Sequence, residues 1–178
     1  AITRAQVETY VKRKGEKQIY QAVQPARGKT VAESIDSRWM MDLIQFTNKP
    51  VEVGTKTLRY ILVAVNVFDR MLYAAPLETK EPTEVSIALG KLLASAPASP
   101  KLISSDQGAE FKGALSDYLN LRGIVQKFKD PADVNGLGVL DKAIQTLKTR
   151  LAELTTAQKS WASQLARVVK GLNDTPKT

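Results

Sequence analysis

The chain has 178 residues and carries 26 lysines and arginines against 18 acids, a net charge of +8. It contains no cysteine and no histidine, which excludes disulfides, zinc fingers, Fe–S clusters, thiol catalysis, a Ser-His-Asp triad and any histidine-ligated metal. A metal site would have to be built from oxygen, hence Mg²⁺, Mn²⁺ or Ca²⁺, and the basic excess favours an anionic partner, with nucleic acid the first guess.

The length suits one domain, with or without tails, and 43% apolar residues can supply its core. Residues 1–36 are polar and basic, with Lys12, Arg13, Lys14, Lys17, Arg27 and Lys29 among few acids and breaks at Pro25 and Gly28. They read as a short helix and an extended arm. Arg38 to Gln45 is an apolar run holding one acid, Asp42, and predicts a buried strand. Turns follow at Asn48–Pro50 and Gly54. Tyr60 to Phe68 is rich in β-formers and reads as a central strand, and Met71 to Leu77 as a third. Their close succession predicts an antiparallel meander. Pro82 opens a helical pattern through Ala94, with Val85, Ile87, Leu89, Leu92 and Leu93 as its apolar positions. Lys101 to Asp106 is a short strand ending in an acid. Leu115 to Leu121 is a short helix, and Ile124 to Phe128 another strand. Asp130 to Gly138, with Pro131, Asn135 and Gly136, reads as a flexible loop. Leu140, Ile144, Leu147, Leu151 and Leu154 then recur at helical spacing, and Trp161 to Leu172 forms a last helix. The order implies an α/β layered domain with a mixed sheet. No stretch approaches the roughly eighteen apolar residues of a membrane span, so no transmembrane helix, signal peptide or membrane partner is expected. Neither end carries a recognisable signal, and the chain reads as a trimmed piece of something longer.

Three acids stand out by context. Asp42 lies inside an apolar strand, Asp106 ends another, and Asp141 opens the long helix after a glycine-containing loop. A carboxylate in a buried strand is costly unless its charge is matched, and a divalent cation matches it directly. Two such ions about 4 Å apart would clamp the attacking and leaving oxygens of a phosphodiester. Asp141, Gln145 and Lys148 fall at i, i+4 and i+7, one stripe beside the leucine face.

At these residues the sequence resembles the catalytic core of retroviral and retrotransposon integrases. Trp39-Met-Met-Asp42 is similar to the family's W-x-x-D strand, and Tyr60 to Arg70 to its second strand and turn. Ser105-Asp106-Gln-Gly-Ala-Glu110-Phe111 is similar to D-N-G-x-E-F, with Gln107 for Asn. Gly138-Val-Leu-Asp141, with Leu147-Lys148 following, is similar to G-V-V-E and its L-K pair. Trp161, Leu165, Val169 and Asn173 to Pro176 resemble the segment leading out of the core. There are departures: the third acid is Asp rather than Glu, Lys129-Asp-Pro131 replaces the usual loop residues, and residues 1–36 hold no ligand for the zinc module that normally precedes the core.

The resemblance implies a ribonuclease-H-like fold, a five-stranded mixed sheet flanked by helices. It implies a catalytic core over residues 37–155, a basic arm over 1–36 and a helix leading out of the core over 156–178. It further implies Mg²⁺- or Mn²⁺-dependent cutting near a DNA 3′ end, then strand transfer, with Asp42, Asp106 and Asp141 as metal-holding catalytic residues. Lys148 and Gln145 would contact DNA, and Lys12, Arg13 and Lys14 would add phosphate contacts. The working unit would be a homo-oligomer on DNA ends and target DNA, in the host-cell nucleus or a virus-like particle. The alternative is a degenerate or domesticated integrase fold acting as a non-catalytic nucleic-acid-binding or scaffold protein; a third reading, a nuclease acting on RNA–DNA hybrids, is opposed by the segment Asp106 to Phe111.

Overall fold

The structure is a computed structural model that describes residues 32–130 and 137–175. The expectations for Lys12, Arg13, Lys14 and the rest of 1–31, and for residues 131–136, lie outside the described residues. The elements run β1 (Arg38–Gln45), β2 (Val51–Val53), β3 (Lys56–Leu58), β4 (Tyr60–Asn66), β5 (Leu72–Leu77) and α1 (Pro82–Ser95). They continue with β6 (Leu102–Ser105), a 3-10 turn (Ala109–Phe111), α2 (Ala114–Leu121), β7 (Val125–Phe128), α3 (Gly138–Leu154) and α4 (Trp161–Asp174).

Five strands form one sheet in the order β5-β4-β1-β6-β7. β1 and β5 flank β4 in antiparallel register, the expected meander, while β6 lies parallel to both β1 and β7. This is the ribonuclease-H-like α/β arrangement, a mixed sheet between helical layers. The segment between β1 and β4 is more than turns: β2 and β3 form a separate hairpin around Gly54, whose φ of 61° suits glycine. Three-residue strands carry too little alternation to be read from sequence.

Each face of the sheet holds its own core. Trp39 and Met41 of β1 and Leu62 and Ala64 of β4 pack under α1 and α2 through Val85, Leu89, Leu115 and Leu119. Met40, Ile44, Ile61, Val63 and Val65 face the other way, against Leu140, Leu147 and Leu151 of α3 and Trp161, Leu165 and Val168 of α4. Burying each such side chain stabilises the fold by roughly 1.5–3 kcal/mol before entropy is counted. Ile87, an apolar position of the α1 pattern, is 57% exposed. It lies on the helix side opposite the Val85–Leu89–Leu92 stripe, where a 3.6-residue period places it.

Two ends are also fastened. Expected to leave the core, the segment from 156 instead folds back on it as far as Thr175. Trp161 stacks on Phe46 at 4.8 Å and donates its indole N–H to the Lys49 carbonyl at 2.9 Å. Near the other end of α4, the Asn173 amide accepts from the Leu72 N–H at 2.9 Å and donates to the Leu72 carbonyl at 2.8 Å, completing edge strand β5. Ahead of β1, Asp36 pairs with Lys101 at 2.8 Å, and buried Asn66 donates to the Ile35 carbonyl at 3.0 Å. The last residues assigned to the basic arm are therefore held against the domain.

Candidate active site

Side chains alternate along β1 between the two layers. Met40 and Ile44 face α3 and α4, so Asp42, between them, belongs to that layer too. β1 and β6 pair at Arg38–Leu102, Trp39–Ile103 and Met40–Ser104. The same offset carried two residues further sets Asp42 level with Asp106, the residue just beyond β6. Neighbouring strands run about 4.8 Å apart. β1 and β6 therefore part between Asp42, inside β1, and Asp106, just past the carboxyl end of β6, the end of a parallel strand where α/β sheets place their ligand sites.

Burial lifts the Asp42 carboxyl to about 6; the Leu43 N–H, donating to Asp42 Oδ1 at 2.7 Å, opposes this, and the charges of Asp106, Asp141 and Glu110 raise it further. Four carboxylates therefore share one electrostatic neighbourhood. Asp106 is exposed and accepts the Gly108 N–H at 2.9 Å. A Cβ on Gly108 would stand 2.7 Å from the Glu110 carboxyl carbon and 3.0 Å from Asp106 Oδ1. Glycine is what lets the two acids flank that turn. Asp141 sits in the first turn of α3, exposed, where the positive end of the helix favours an acid. The buried Leu140 and Leu147 fix which way the helix is rotated.

Asp106 and Asp141 thus lie near enough to Asp42 for their charges to act on it. Among the described residues, however, no three acids stand close enough together to hold one metal ion. The donor chemistry still fits a hard divalent cation: oxygen only, with carboxylates whose mutual repulsion such an ion relieves. Gln145 and Lys148 are exposed on α3 and lie within about 40° of Asp141 around the helix. Glu110 was not singled out from sequence. Its signal was the glycine two residues earlier, which leaves room for its carboxylate.

No protein-family profile matches the chain. Over 117 residues, 65% of this chain, it is 29% identical to a transposon-derived protein of Caenorhabditis elegans, of which the match spans 41%. Solved structures show the same fold. The catalytic core domain of BIV integrase superposes with a TM-score of 0.66 at 21% identity, covering 80% of this chain and 87% of that one. A chain of the simian T-cell lymphotropic virus intasome gives 0.67 at 16% identity, covering 85% and 54%. The HTLV-2 integrase catalytic core domain, in complex with magnesium and in a trimeric form, gives 0.63 at 12% identity, covering 80% and 88%.

Proposed function

We propose that the chain is the catalytic core of an integrase from a retrovirus-like element, processing DNA 3′ ends and transferring them to target DNA. The observation that carries this reading is that the charges of Asp106, Asp141 and Glu110 bear on Asp42, with the β1–β6 ladder ending at Met40–Ser104, two residues short of both aspartates. Asp42, Asp106 and Asp141 would hold Mg²⁺ or Mn²⁺, which supplies charge neutralisation at a phosphodiester and acidifies bound water. The chain's own part is to place those carboxylates on two strands and a helix start, and to orient DNA along the Gln145–Lys148 stripe. Lys12, Arg13 and Lys14 would add salt-sensitive phosphate contacts. Oligomerisation and action in the nucleus belong to the same proposal, as does a basic arm preceding a core on which the C-terminal helix packs.

The non-catalytic scaffold reading is favoured by one observation, that no three acids close on a common point among the described residues. Activity on a branched DNA that mimics the strand-transfer product separates the two, because such a substrate asks least of parts outside this chain. Resolution of the branch in Mg²⁺ or Mn²⁺, reduced at least about 100-fold by Asp106→Asn or Asp141→Asn, is expected for a charge-stabilising metal site. Asp141→Glu should lower the rate as well, since ligand placement matters on the scale of a fraction of an ångström. A folded parent inactive with both metals, or equal rates for parent and Asp106→Asn, would establish the scaffold reading instead.

A further inference from the structure

A groove of about 850 Å³ opens between α3, α4 and the end of β4. Its floor is apolar, formed by Val65 and Leu72 of the sheet and Val168 and Leu172 of α4. Its depth comes from small residues on the facing helices, Gly138, Ala143 and Gly171. A Cβ on either glycine would meet nothing within 4 Å. Arg70, Lys142, Arg150 and Arg167 also line it, all four exposed, and no acid among the described residues does. Arg150 is paired along its own helix to Glu153 at 2.8 Å, but both partners are more than half exposed, so the pair is weak and exchangeable. Lys142, Thr146 and Arg150 recur every four residues and sit about 100–180° around α3 from Asp141. This face is separate from the carboxylate cleft.

The charge decides the occupant. A second copy docking by the same face would set four cations against four. The chain's own N-terminal segment, with Lys12, Arg13, Lys14 and Lys17, is as basic as the rim. Phosphates of a duplex would satisfy the rim but leave the apolar floor in water. An amphipathic helix with an apolar stripe and flanking acids satisfies both. We propose that this groove docks an acidic amphipathic helix of a protein partner.

The test titrates the full chain into a fluorescein-labelled synthetic helix with leucines at i, i+3, i+4 and i+7 and glutamates elsewhere, read by fluorescence anisotropy. A lysine-faced peptide with the same leucines and a random-sequence DNA duplex are the comparison probes. The glutamate peptide should bind at least tenfold more tightly than the lysine peptide. Lys142→Glu with Arg167→Glu should weaken it at least tenfold, whereas Lys91→Glu with Lys159→Glu, an equal change of net charge outside the groove, should not. Gly171→Leu should abolish binding, because the side chain enters open groove space while raising helix propensity; if it fails to fold, the two charge-reversal pairs decide. Equal binding of both peptides, an equal loss from the two charge-reversal pairs, or no binding up to about 1 mM of the chain overturns the proposal. So does duplex DNA that displaces the peptide and loses affinity with the groove variants, which would make the groove a nucleic-acid surface.

Discussion

Asp42 is a carboxylate that the fold holds at a cost. Its pKa rises from 3.8 to about 6, chiefly because burial disfavours the charged form. Well below the ordinary value of 3.8 both folded and unfolded chains are protonated there, and no penalty applies. Between pH 4 and 6 the unfolded chain gives up its proton first, so stability falls with rising pH, and above about 6 the penalty is constant. Asp42→Asn should therefore raise the melting temperature at pH 7.5 in EDTA, by at most ~3 kcal/mol in stability, and the gain should vanish by pH 4. Thermal unfolding of both proteins across that range checks it. A gain independent of pH, or none at pH 7.5, would mean that the carboxylate is not desolvated. A group kept at such a cost fits a site whose purpose lies outside stability.

At the scale of elements, the contact between α1 and α2 shows how closely the layers fit. The Tyr118 hydroxyl is buried without a hydrogen-bond partner among the described residues, and a Cβ on Gly90 would come within 2.8 Å of it. An unsatisfied buried hydroxyl costs about 1–3 kcal/mol, so Tyr118→Phe should be neutral or stabilising. Gly90→Ala should destabilise the parent and cost less, or nothing, in the Tyr118→Phe background. A denaturant double-mutant cycle measures that coupling, and additive effects would rule the contact out. Much of this layer was legible in the sequence. The five sheet strands and four helices stand where apolar runs and the Leu140–Leu154 periodicity place them, because burial on one or both faces writes itself into local pattern. The β2–β3 hairpin was not legible, nor was the return of α4 onto the sheet, which rests on Trp161 and Asn173 reaching residues far away in the chain.

Across the whole molecule, a chain of net charge +8 sets Asp106, Asp141 and Glu110 near enough to Asp42 for their charges to act on it. On the proposed reading, the basic excess would draw a polyanion in, and the acidic neighbourhood would give a divalent cation its place beside the phosphates. The sequence showed the acids and, through motif resemblance, their order. It could not show that β1 and β6 pair from Arg38–Leu102 to Met40–Ser104, just short of the two aspartates, since a parallel pairing between segments far apart is set by the packed sheet rather than by either strand. Nor could it show the basic groove, whose lining comes from β4, β5, α3, α4 and the β4–β5 turn at once. The measurement that bears most directly on the proposed metal site is an anomalous difference map from crystals soaked in Mn²⁺. A peak between the Asp42 and Asp106 carboxylates, with Asp141 turned towards it, is the expected result. A map with no peak there at saturating Mn²⁺, or with manganese bound only elsewhere, would contradict it.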